Sequence, residues 1–287
     1  MFVFKTVSEL QQYLNSRRAN GEQIGFAPTM GALHLGHLDL MRHSKAQNAC
    51  TVCSIFVNPT QFNDPKDLEK YPRTPEKDLA MLESVGTEVV FMPAVEEIYP
   101  PGLDLALQLD LNPLDQVMEG AFRPGHFQGM AQVVKRLLDI VQPDRLYMGQ
   151  KDFQQFSIVG YLIQQMQLPV ELVMVPTVRE ADGLAMSSRN VRLSPEQRQA
   201  APIIYRTLEW AKSQLGLQAI AEIETAALQR LNLPDFRPEY FQIVDGKTLK
   251  PIINPTEHDW IVACVATWVG EVRLIDNLAL AQKTIPE

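Results

Sequence analysis

Two histidines, His34 and His37, stand three residues apart in the stretch GFAPTMGALHLGH at residues 25–37, directly after an apolar run that predicts a β-strand. If the strand ends near Pro28 and a helix begins near Gly36, both imidazoles lie at a helix N-terminus. There, backbone N–H groups point outward and the helix dipole favours an anion. An imidazole can donate hydrogen bonds to phosphoryl oxygens without a permanent charge. The stretch therefore predicts a site for the phosphates of a nucleotide.

The H-x-x-H spacing alone leaves two alternatives open. It is also found in zinc pairs, and the fold could supply further ligands to such a site. Two unrelated surface histidines would show the same spacing. Neither alternative is excluded by this stretch by itself.

Five stretches carry a family resemblance. The histidine stretch resembles the H-x-G-H signature of the nucleotidyltransferase and class I aminoacyl-tRNA synthetase superfamily, and PTMGALHLGH resembles the pantothenate synthetase family in particular. Four more stretches resemble that family in the same order: FVNPTQF at 56–62, FRPGHFQGMAQVV at 122–134, GQKDFQQ at 149–155 and READGLAMSSRN at 179–190. The resemblance implies a ligase that joins pantoate to β-alanine at the expense of ATP.

The resemblance also implies the residues of an ATP pocket. They are Met30, Gly31, Ala32, Leu33, His34, Leu35, Gly36, His37, Gly149, Gln150, Lys151, Asp152, Val178, Met186, Ser187, Ser188 and Arg189. His37 is the implied proton donor, and His34 and Lys151 are the other catalytic candidates. Gln150 departs from the family pattern, in which glutamate is common before the Lys-Asp pair. MSSR resembles the mobile phosphate-binding loop of the superfamily.

Gln61 and Gln155 are the candidates for binding pantoate. A glutamine amide both donates and accepts hydrogen bonds, so it can hold carboxylate and hydroxyl oxygens without adding charge. Lys151 and Gln155 are four residues apart and, if helical, project from one face. Val133 and Val134 are candidates for an apolar wall facing the pantoate methyl groups, although core packing explains valines equally well.

The implied reaction passes through pantoyl adenylate and releases pyrophosphate and AMP. We expect Mg²⁺ with ATP, because it neutralises the triphosphate and usually retains waters instead of needing a protein cage. No protein ligand for a metal is predicted. A homodimer is expected from the resemblance alone. A nucleotidyltransferase acting on another small substrate and a non-catalytic nucleotide sensor are the alternative functions.

Composition limits the partners. The 287-residue chain has a formal net charge of −8 and a sequence pI near 5.2, which argues against nucleic acid or an anionic membrane as a partner, and therefore against tRNA charging. The N-terminal residues lack the apolar stretch of a signal peptide, and no run of about 18 apolar residues occurs, so we expect a cytoplasmic protein. Cys50, Cys53 and Cys264 are interpreted as buried thiols.

Strand-like and helix-like segments alternate as far as residue 176. This order predicts a doubly wound parallel sheet of the α/β class over residues 1–176, with ligands bound outside the carboxyl ends of its strands. The family resemblance implies that this Rossmann-like domain binds ATP and pantoate. A smaller α+β lid domain is predicted for residues 177–287. Ser194 is its expected helix N-cap, followed by one helix to about Gly216, and Asp245-Gly246 is an expected turn between strands.

Overall fold

The structure of the protein, a computed structural model, describes residues 1–62, 65–102 and 109–282. The chain forms two compact units. The first comprises Met1–Asp115, Arg123–Gln150 and Gln155–Pro176, and the second comprises Gln116–Phe122, Lys151–Gln154 and Thr177–Glu287. Residues 63–64, 103–108 and 283–287 of the two predicted domains lie outside the described residues. The roles predicted for residues 1–176 and 177–287 stay predictions.

A six-stranded sheet organises the first unit. All of its strand pairs are parallel, and its spatial order is β1-β4-β3-β2-β5-β6. The strands are β1 Phe2–Phe4, β2 Ile24–Thr29, β3 Cys50–Ile55, β4 Val89–Phe91, β5 Arg145–Gly149 and β6 Glu171–Val175. The order changes direction at β2, so the carboxyl end of β2 lies at the topological switch point, where doubly wound folds bind ligands. The predicted α/β class is confirmed.

The helices are numbered in chain order through both units. They are α1 Val7–Ala19, α2 Leu35–Gln47, α3 Pro65–Lys70, α4 Pro75–Ser84, α5 Val95–Ile98, α6 Glu119–Phe122, α7 His126–Val141, α8 Phe153–Gln165, α9 Pro195–Ala200, α10 Ile203–Gln214 and α11 Ile220–Leu231. Helix α6 belongs to the second unit, and α8 begins in the second unit and continues in the first. Within the described ranges, no helix is both long and apolar enough to span a bilayer.

Both faces of the parallel sheet are covered by helices. Phe26 and Val52 pack with α1, α7 and α8 on one face, whereas Ala27 and Cys53 pack with α2 and α4 on the other. This alternation follows from the two-residue period of a strand. Cys50 shares the face of Val52, so Cys50 and Cys53 point to opposite faces.

All three cysteines are free and buried, as expected from the sequence. Burial raises the pKa of Cys50 to about 11 and that of Cys53 to about 12. Burial also raises the pKa of the Cys264 thiol. The thiols therefore stay protonated at neutral pH and serve as small apolar groups of the core.

Several element ends differ from the sequence predictions for local reasons. Strand β1 was not predicted, because its three residues stand alone before the Thr6 cap of α1. The helix predicted after Ser194 is broken into α9 and α10 at Pro202, which has no N–H for the carbonyl of Arg198 and interrupts the helix. Ser194 does cap α9, and its hydroxyl accepts from the N–H of Gln197.

The second unit packs α9, α10 and α11 against an antiparallel sheet of three strands. The strands are β7 Phe236–Asp245, β8 Trp260–Val269 and β9 Val272–Gln282. The predicted turn at Asp245-Gly246 does follow β7, but the segment between Gly246 and Trp260 forms no strand and has a single bridge, Val244 to Pro251. Strands β8 and β9 are instead joined by a tight hairpin in which Gly270 has φ +55°.

Helix α7 approaches a neighbouring 3₁₀ turn, Pro59–Gln61, without room for a side chain at Gly129. A methyl group at Gly129 would overlap the carbonyl group of Thr60, which is backbone and cannot move aside cheaply. Gly160 of α8 offers a contrast, because a methyl group there meets only Leu172 Cδ2 at 3.5 Å. The first glycine is therefore required by packing and the second is not.

We expect Gly129→Ala to lower the free energy of unfolding by about 1–3 kcal/mol, the usual cost of overpacking. Gly160→Ala, the matched control, should raise it by up to about 1 kcal/mol, because alanine favours a helix over glycine. Urea unfolding followed by circular dichroism measures both. Equal effects of the two substitutions would contradict the packing described for α7.

Candidate active site

The loop between β2 and α2 carries the two histidines at the switch point of the sheet. Its backbone turns through two left-handed residues, Gly31 at φ +78° and Ala32 at φ +49°. The Thr29 hydroxyl accepts from the N–H of Gly31 at 3.2 Å and donates to the carbonyl of Ser54 at 2.6 Å. The turn is thereby tied to the end of β3.

A buried carboxylate, Asp78 of α4, holds the middle of this loop. Its side chain accepts from the N–H of Ala32 at 3.0 Å and from the N–H of Leu33 at 2.8 Å. The hydroxyl of Thr74 donates to the same carboxylate at 3.1 Å. Asp78 is only 1% exposed. These bonds fix the backbone that leads into His34, and sequence reasoning missed them because Asp78 is 46 residues from Ala32.

The two histidines cap the helix that they begin. His34 is the N-cap residue of α2, and its Nδ1 accepts from the N–H of Gly36 at 3.2 Å. His37 occupies the third helical position, and its Nδ1 accepts from the N–H of His34 at 3.3 Å. This is the reciprocal geometry of a capping box, with imidazoles in place of the usual hydroxyl and carboxylate. The ring centroids lie 4.0 Å apart.

The tautomer of both rings follows from these contacts. A nitrogen that accepts from a backbone N–H carries no proton, so the proton of each neutral imidazole lies on Nε2. Both rings therefore carry an Nε2–H donor.

The expectation that the backbone N–H groups of this corner point outward is wrong for five of them. The N–H groups concerned are those of Gly31, Ala32, Leu33, His34 and Gly36. The physical reason is that Thr29, Asp78 and the two imidazoles satisfy these donors internally. These five backbone N–H groups are therefore not the ones that a phosphate at this corner would use.

Gln61 lies in the 3₁₀ turn after β3, and Asn58 orients its amide. The N–H and hydroxyl of Thr60 and the hydroxyl of Tyr99 donate to Asn58 Oδ1, at 3.4, 3.1 and 2.8 Å. A backbone N–H can only donate, so this set fixes which end of the Asn58 amide is oxygen. Asn58 Nδ2 then donates to Gln61 Oε1 at 3.1 Å and to the carbonyl of Gly129 at 3.4 Å.

The amide of Gln61 consequently presents its Nε2 donors away from Asn58. One of them meets Met30 Sδ at 3.2 Å, which brings a predicted pantoate residue beside a predicted ATP residue. His126 Nδ1 donates to the backbone carbonyl of Gln61 at 2.8 Å. His126 is buried and is the first residue of α7, whose N-cap is Gly125. Its bond to the Gln61 carbonyl holds the Gln61 turn against the start of this helix.

Burial raises the pKa of Tyr99, while its hydrogen bonds to Thr60 and Asn58 act in the opposite direction. The hydroxyl therefore stays protonated at neutral pH and remains a donor to Asn58. Tyr99 and Asn58 are residues that sequence reasoning did not single out. Asn58 had a usable signal, because it stands inside the quoted stretch FVNPTQF, whereas Tyr99 is 41 residues away from it.

The remaining predicted residues of the first unit lie on two helices and a strand end. Val133 and Val134 of α7 are buried in the main core of the unit, which is the core-packing alternative, and their predicted contact with pantoate stays a prediction. Gly149 ends β5, Gln150 begins a 3₁₀ turn, and Gln155 lies in the first turn of α8.

Lys151 and Asp152 lie in the 3₁₀ turn Gln150–Asp152 and group with the second unit. The Lys151 ammonium is 3.7 Å from the Asp152 carboxylate. The prediction that Lys151 and Gln155 project from one face required an α-helix over both residues, and that condition is not met, because Lys151 lies in a 3₁₀ turn and Gln155 in α8. Asn277 Nδ2 of β9 donates to the Lys151 carbonyl at 2.9 Å.

The predicted phosphate loop of the second unit is a small hairpin followed by a 3₁₀ turn. The N–H of Met186 donates to the carbonyl of Val178 at 3.0 Å, and Arg179 and Ala185 form an antiparallel bridge. Ser187 caps the turn Ser188–Arg192, and its hydroxyl accepts from the N–H of Arg189 at 3.2 Å. The hydroxyl hydrogen of Ser187 is not used by that bond, so it can donate to a phosphate.

Each unit therefore gathers one part of the predicted site. The first holds Met30 to His37, Gln61, Val133, Val134, Gly149, Gln150 and Gln155, and the second holds Lys151, Asp152, Val178 and Met186 to Arg189. That both parts bind one triphosphate stays a prediction. Among residues 1–62, 65–102 and 109–282, no group of three His, Cys, Asp or Glu side chains could hold a metal ion.

Comparison with known proteins identifies the family. The family model described as Pantoate-beta-alanine ligase matches residues 2–279. The chain belongs to the pantoate-beta-alanine ligase family. This membership confirms the family that the five stretches indicated, and with it the prediction that the chain is a ligase.

Curated ligases of this family match over almost their whole length. A pantothenate synthetase of Azobacteroides pseudotrichonymphae is 47% identical over 280 residues, covering 97% of this chain and 99% of the relative. The pantothenate synthetase of Bacteroides thetaiotaomicron is also 47% identical, over 279 residues, covering 97% and 98%.

Solved structures of the family have the same fold. Pantothenate synthetase from Thermus thermophilus is similar with a TM-score of 0.91 and 44% identity, covering 98% of this chain and 100% of that one. The pantoate-beta-alanine ligase from Francisella tularensis is similar with a TM-score of 0.81 and 34% identity, covering 98% of both chains. The Francisella protein was crystallised in complex with beta-gamma ATP and beta-alanine.

Replacing Asp78 tests how the loop is held. Asp78→Ala leaves the N–H groups of Ala32 and Leu33 without their carboxylate partner, and we expect a loss of about 2–4 kcal/mol in the free energy of unfolding. Asp78→Asn, which keeps one acceptor oxygen, should lose about half as much. Glu76→Ala removes the same charge from an exposed position of α4 and serves as control.

Chemical denaturation measures the three stabilities, and amide hydrogen exchange at Ala32 and Leu33 reports the loop directly. Faster exchange at these two amides in Asp78→Ala, and not in Glu76→Ala, is the expected pattern. Stabilities of all three variants within about 0.5 kcal/mol of the parent, on the scale of ordinary surface substitutions, would contradict the assignment.

Proposed function

We propose that this chain condenses pantoate with β-alanine to form pantothenate, using ATP and passing through pantoyl adenylate, with release of pyrophosphate and AMP. The match of the family model to residues 2–279 carries the proposal. The Francisella ligase, crystallised with beta-gamma ATP and beta-alanine, supports ATP and β-alanine as two of the substrates. The paired Nε2–H donors of His34 and His37 support a phosphate site at the carboxyl end of β2.

Activation is chemically necessary because a carboxylate does not condense with an amine in water at neutral pH. In the first step a pantoate carboxylate oxygen attacks the α-phosphorus of ATP, the new O–P bond forms, and the bond to pyrophosphate breaks. In the second step the neutral amine of β-alanine attacks the acyl carbon, the bond to AMP breaks, and the amine loses a proton. Both steps leave negative charge on phosphoryl oxygens.

Fixed donors aimed at that charge are what this kind of reaction requires from the protein. His37 and His34 donate hydrogen bonds through Nε2–H, and we assign His37 as the hydrogen-bond donor to the departing phosphoryl oxygens. Lys151, Ser187, Ser188 and Arg189 supply further donors to the phosphates in this proposal. The neutral imidazoles bind ATP without the permanent charge that would retain pyrophosphate.

Pantoate is assigned to Gln61 and Gln155. Because Asn58 occupies Oε1 of Gln61 and one Nε2–H meets Met30 Sδ, that amide offers its other Nε2–H, and an anionic carboxylate or a hydroxyl oxygen is the matching acceptor. Gln61 is 9% exposed, so a bond to it is well shielded from water. A ligand that lacks oxygen at this position leaves a nearly buried donor unpaired, which costs affinity.

Magnesium enters this proposal as the MgATP substrate. The ion neutralises triphosphate charge and keeps much of its water shell, so it does not need a cluster of protein ligands. We also propose that the chain acts as a homodimer in the cytoplasm, on the grounds of the family resemblance and of the sequence composition respectively. Nucleic acid and membranes are not among the proposed partners.

The proposal predicts a product set that no alternative shares. Purified chain with MgATP, pantoate and β-alanine should form pantothenate and AMP in equal amounts, and omission of any one substrate should abolish the amide. Pantoate labelled with ¹⁸O in its carboxylate should transfer one ¹⁸O to AMP, because that oxygen bridges to phosphorus in the adenylate. Mass spectrometry of AMP reads the label.

The other outcomes each contradict the proposal in a distinct way. ADP and phosphate as products would indicate an acyl phosphate in place of the adenylate. A nucleotide retained on the product would indicate a nucleotidyltransferase. Binding of ATP without turnover under all substrate combinations would indicate a nucleotide sensor.

Substitutions of His37 distinguish the capping role of its Nδ1 from the donor role of its Nε2–H. His37→Ala should lower kcat by roughly 10²–10³, the scale for losing one preorganised donor. His37→Glu keeps an acceptor for the N–H of His34 but offers no N–H. Its kcat should therefore fall as much as that of His37→Ala, while its stability stays that of the parent. His37→Gln keeps both functions and should retain more activity than either.

His43→Ala is the matched control, because it removes an imidazole from the same helix at a position outside the proposed site. It should leave kcat unchanged. Steady-state rates and thermal melting temperatures are measured for all four variants. Near-parent activity in His37→Ala, or equal activity in the Glu and Gln variants, would remove the donor role from His37.

A further inference from the structure

Two consecutive residues of β9, Asp276 and Asn277, contact both segments of the second unit for which ATP binding is predicted. Asp276 is 4% exposed and Asn277 is 2% exposed. Neither lies in the five family-like stretches of the sequence. One contacts the base of the 178–186 hairpin and the other contacts the backbone at Lys151.

Asp276 holds the hairpin through Arg179. Its Oδ2 accepts from Arg179 Nη1 at 2.6 Å and its Oδ1 accepts from Nη2 at 3.0 Å, which is a bidentate pair. Arg179 Nη1 also donates to the carbonyl of Gly183 at 3.1 Å, and its guanidinium carbon lies 4.0 Å from the ring centroid of Tyr205. The guanidinium is therefore held by three partners. Because Arg179 forms the bridge with Ala185, these contacts also fix the base of the hairpin, next to Met186.

Asn277 holds the lysine turn. Its Nδ2 donates to the carbonyl of Lys151 at 2.9 Å, and its own N–H donates to Asp276 Oδ1 at 2.7 Å. Arg179 Nη2 donates to the carbonyl of Asn277 at 3.2 Å. The same short stretch of β9 is thus bonded to the lysine turn and to the hairpin, which are distant from each other in the sequence. Asp276 Oδ1 accepts from both Arg179 Nη2 and the N–H of Asn277, so one carboxylate oxygen is shared by the two sets of contacts.

We propose that Asp276 and Asn277 are positioning residues for the nucleotide: together they set the backbone of Lys151 and the base of the loop that carries Ser187, Ser188 and Arg189. This inference rests on the proposed function, in which these donors contact ATP. A positioned donor loses most of its effect when it is displaced by about 1 Å. Asn277 bonds the backbone carbonyl of Lys151, so it fixes where the lysine side chain begins.

A second buried ion pair in the same unit provides the comparison. Arg273 is bonded to Glu239 at 2.9 Å and to Glu119 at 2.8 Å, and Glu239 also accepts from Trp268 Nε1. These contacts of Glu239 involve no residue predicted to bind ATP. Glu239→Gln therefore disturbs the buried charge network around Arg273 without removing a contact of the lysine turn or of the hairpin.

The test measures Asn277→Asp and Asn277→Ala beside Glu239→Gln. Asn277→Asp preserves the shape but replaces the Nδ2 donor by an oxygen that faces the Lys151 carbonyl. We expect both Asn277 variants to lower kcat/KM for ATP by roughly 10- to 100-fold, with the KM for pantoate within about twofold of the parent. Glu239→Gln should change melting temperature without this selective loss.

A second readout does not depend on turnover. Lys151 is modified by an amine-reactive acylating reagent with and without MgATP, and peptide mass spectrometry measures the modified fraction. ATP should protect Lys151 in the parent and in Glu239→Gln, and protect it much less in the Asn277 variants. Asp276→Asn, which keeps one acceptor for Arg179, serves if the Asn277 variants do not fold, and it should show the same selective loss.

The outcomes separate the two proposals. A parent protein that protects Lys151 with ATP but makes no pantothenate contradicts the proposed function and leaves the positioning role supported. Unchanged ATP parameters and unchanged lysine protection in folded Asn277 and Asp276 variants overturn the positioning role. Equal losses for ATP and pantoate, matched by Glu239→Gln, also overturn it, because they indicate a contribution to folding alone.

Discussion

The reciprocal capping of α2 by His34 and His37 is the constraint on which the first part of the site depends. Each imidazole uses Nδ1 to accept a backbone N–H, so the helix start decides both where the rings lie and which nitrogen carries hydrogen. A helix N-terminus needs acceptors, and an anionic ligand needs donors. An imidazole with two nitrogens meets both needs at once, which a serine or glutamate cap in the same positions would not do with this geometry.

The rest of the first unit holds that corner in place. The loop before it crosses left-handed backbone at Gly31 and Ala32, and a carboxylate buried in α4 satisfies the N–H groups that this shape exposes. A second set of buried polar groups, centred on Asn58, turns the amide of Gln61 into a donor. In both sets a buried polar group is paired with a partner inside the protein. That pairing decides which atom of the group is left to contact a ligand.

Much of this arrangement could be predicted from the sequence because its signals are local. The strand RLYMG, the Ser194 cap and the opposite facing of Cys50 and Cys53 follow from periodicity and capping chemistry within a few residues. The family followed from five short stretches in a fixed order. Lys151 was placed in the correct segment, but the 3₁₀ turn that carries it was not foreseen, because one turn of either helix type fits the same residues.

The parts that could not be predicted are contacts between distant residues. Asp78 reaches Ala32, Tyr99 reaches Asn58 and Asn277 reaches Lys151, and in each case an ordinary polar residue gains its role only from the fold. The N–H groups of Ala32 and Leu33, which were expected to point outward, are likewise satisfied by a carboxylate from another helix. Local sequence thus indicated the chemistry of the site, and long-range hydrogen bonding decided which atoms present it.

The most direct measurement is the tautomer of His34 and His37 by ¹⁵N nuclear magnetic resonance, on protein labelled at the histidine ring nitrogens and at a pH where the rings are neutral. Single His34→Gln and His37→Gln variants assign the two signals among the five histidines. The account predicts that both rings carry hydrogen on Nε2, with Nδ1 unprotonated. A ring with hydrogen on Nδ1 at either position would contradict it, because that nitrogen could not then accept the backbone N–H that begins the helix.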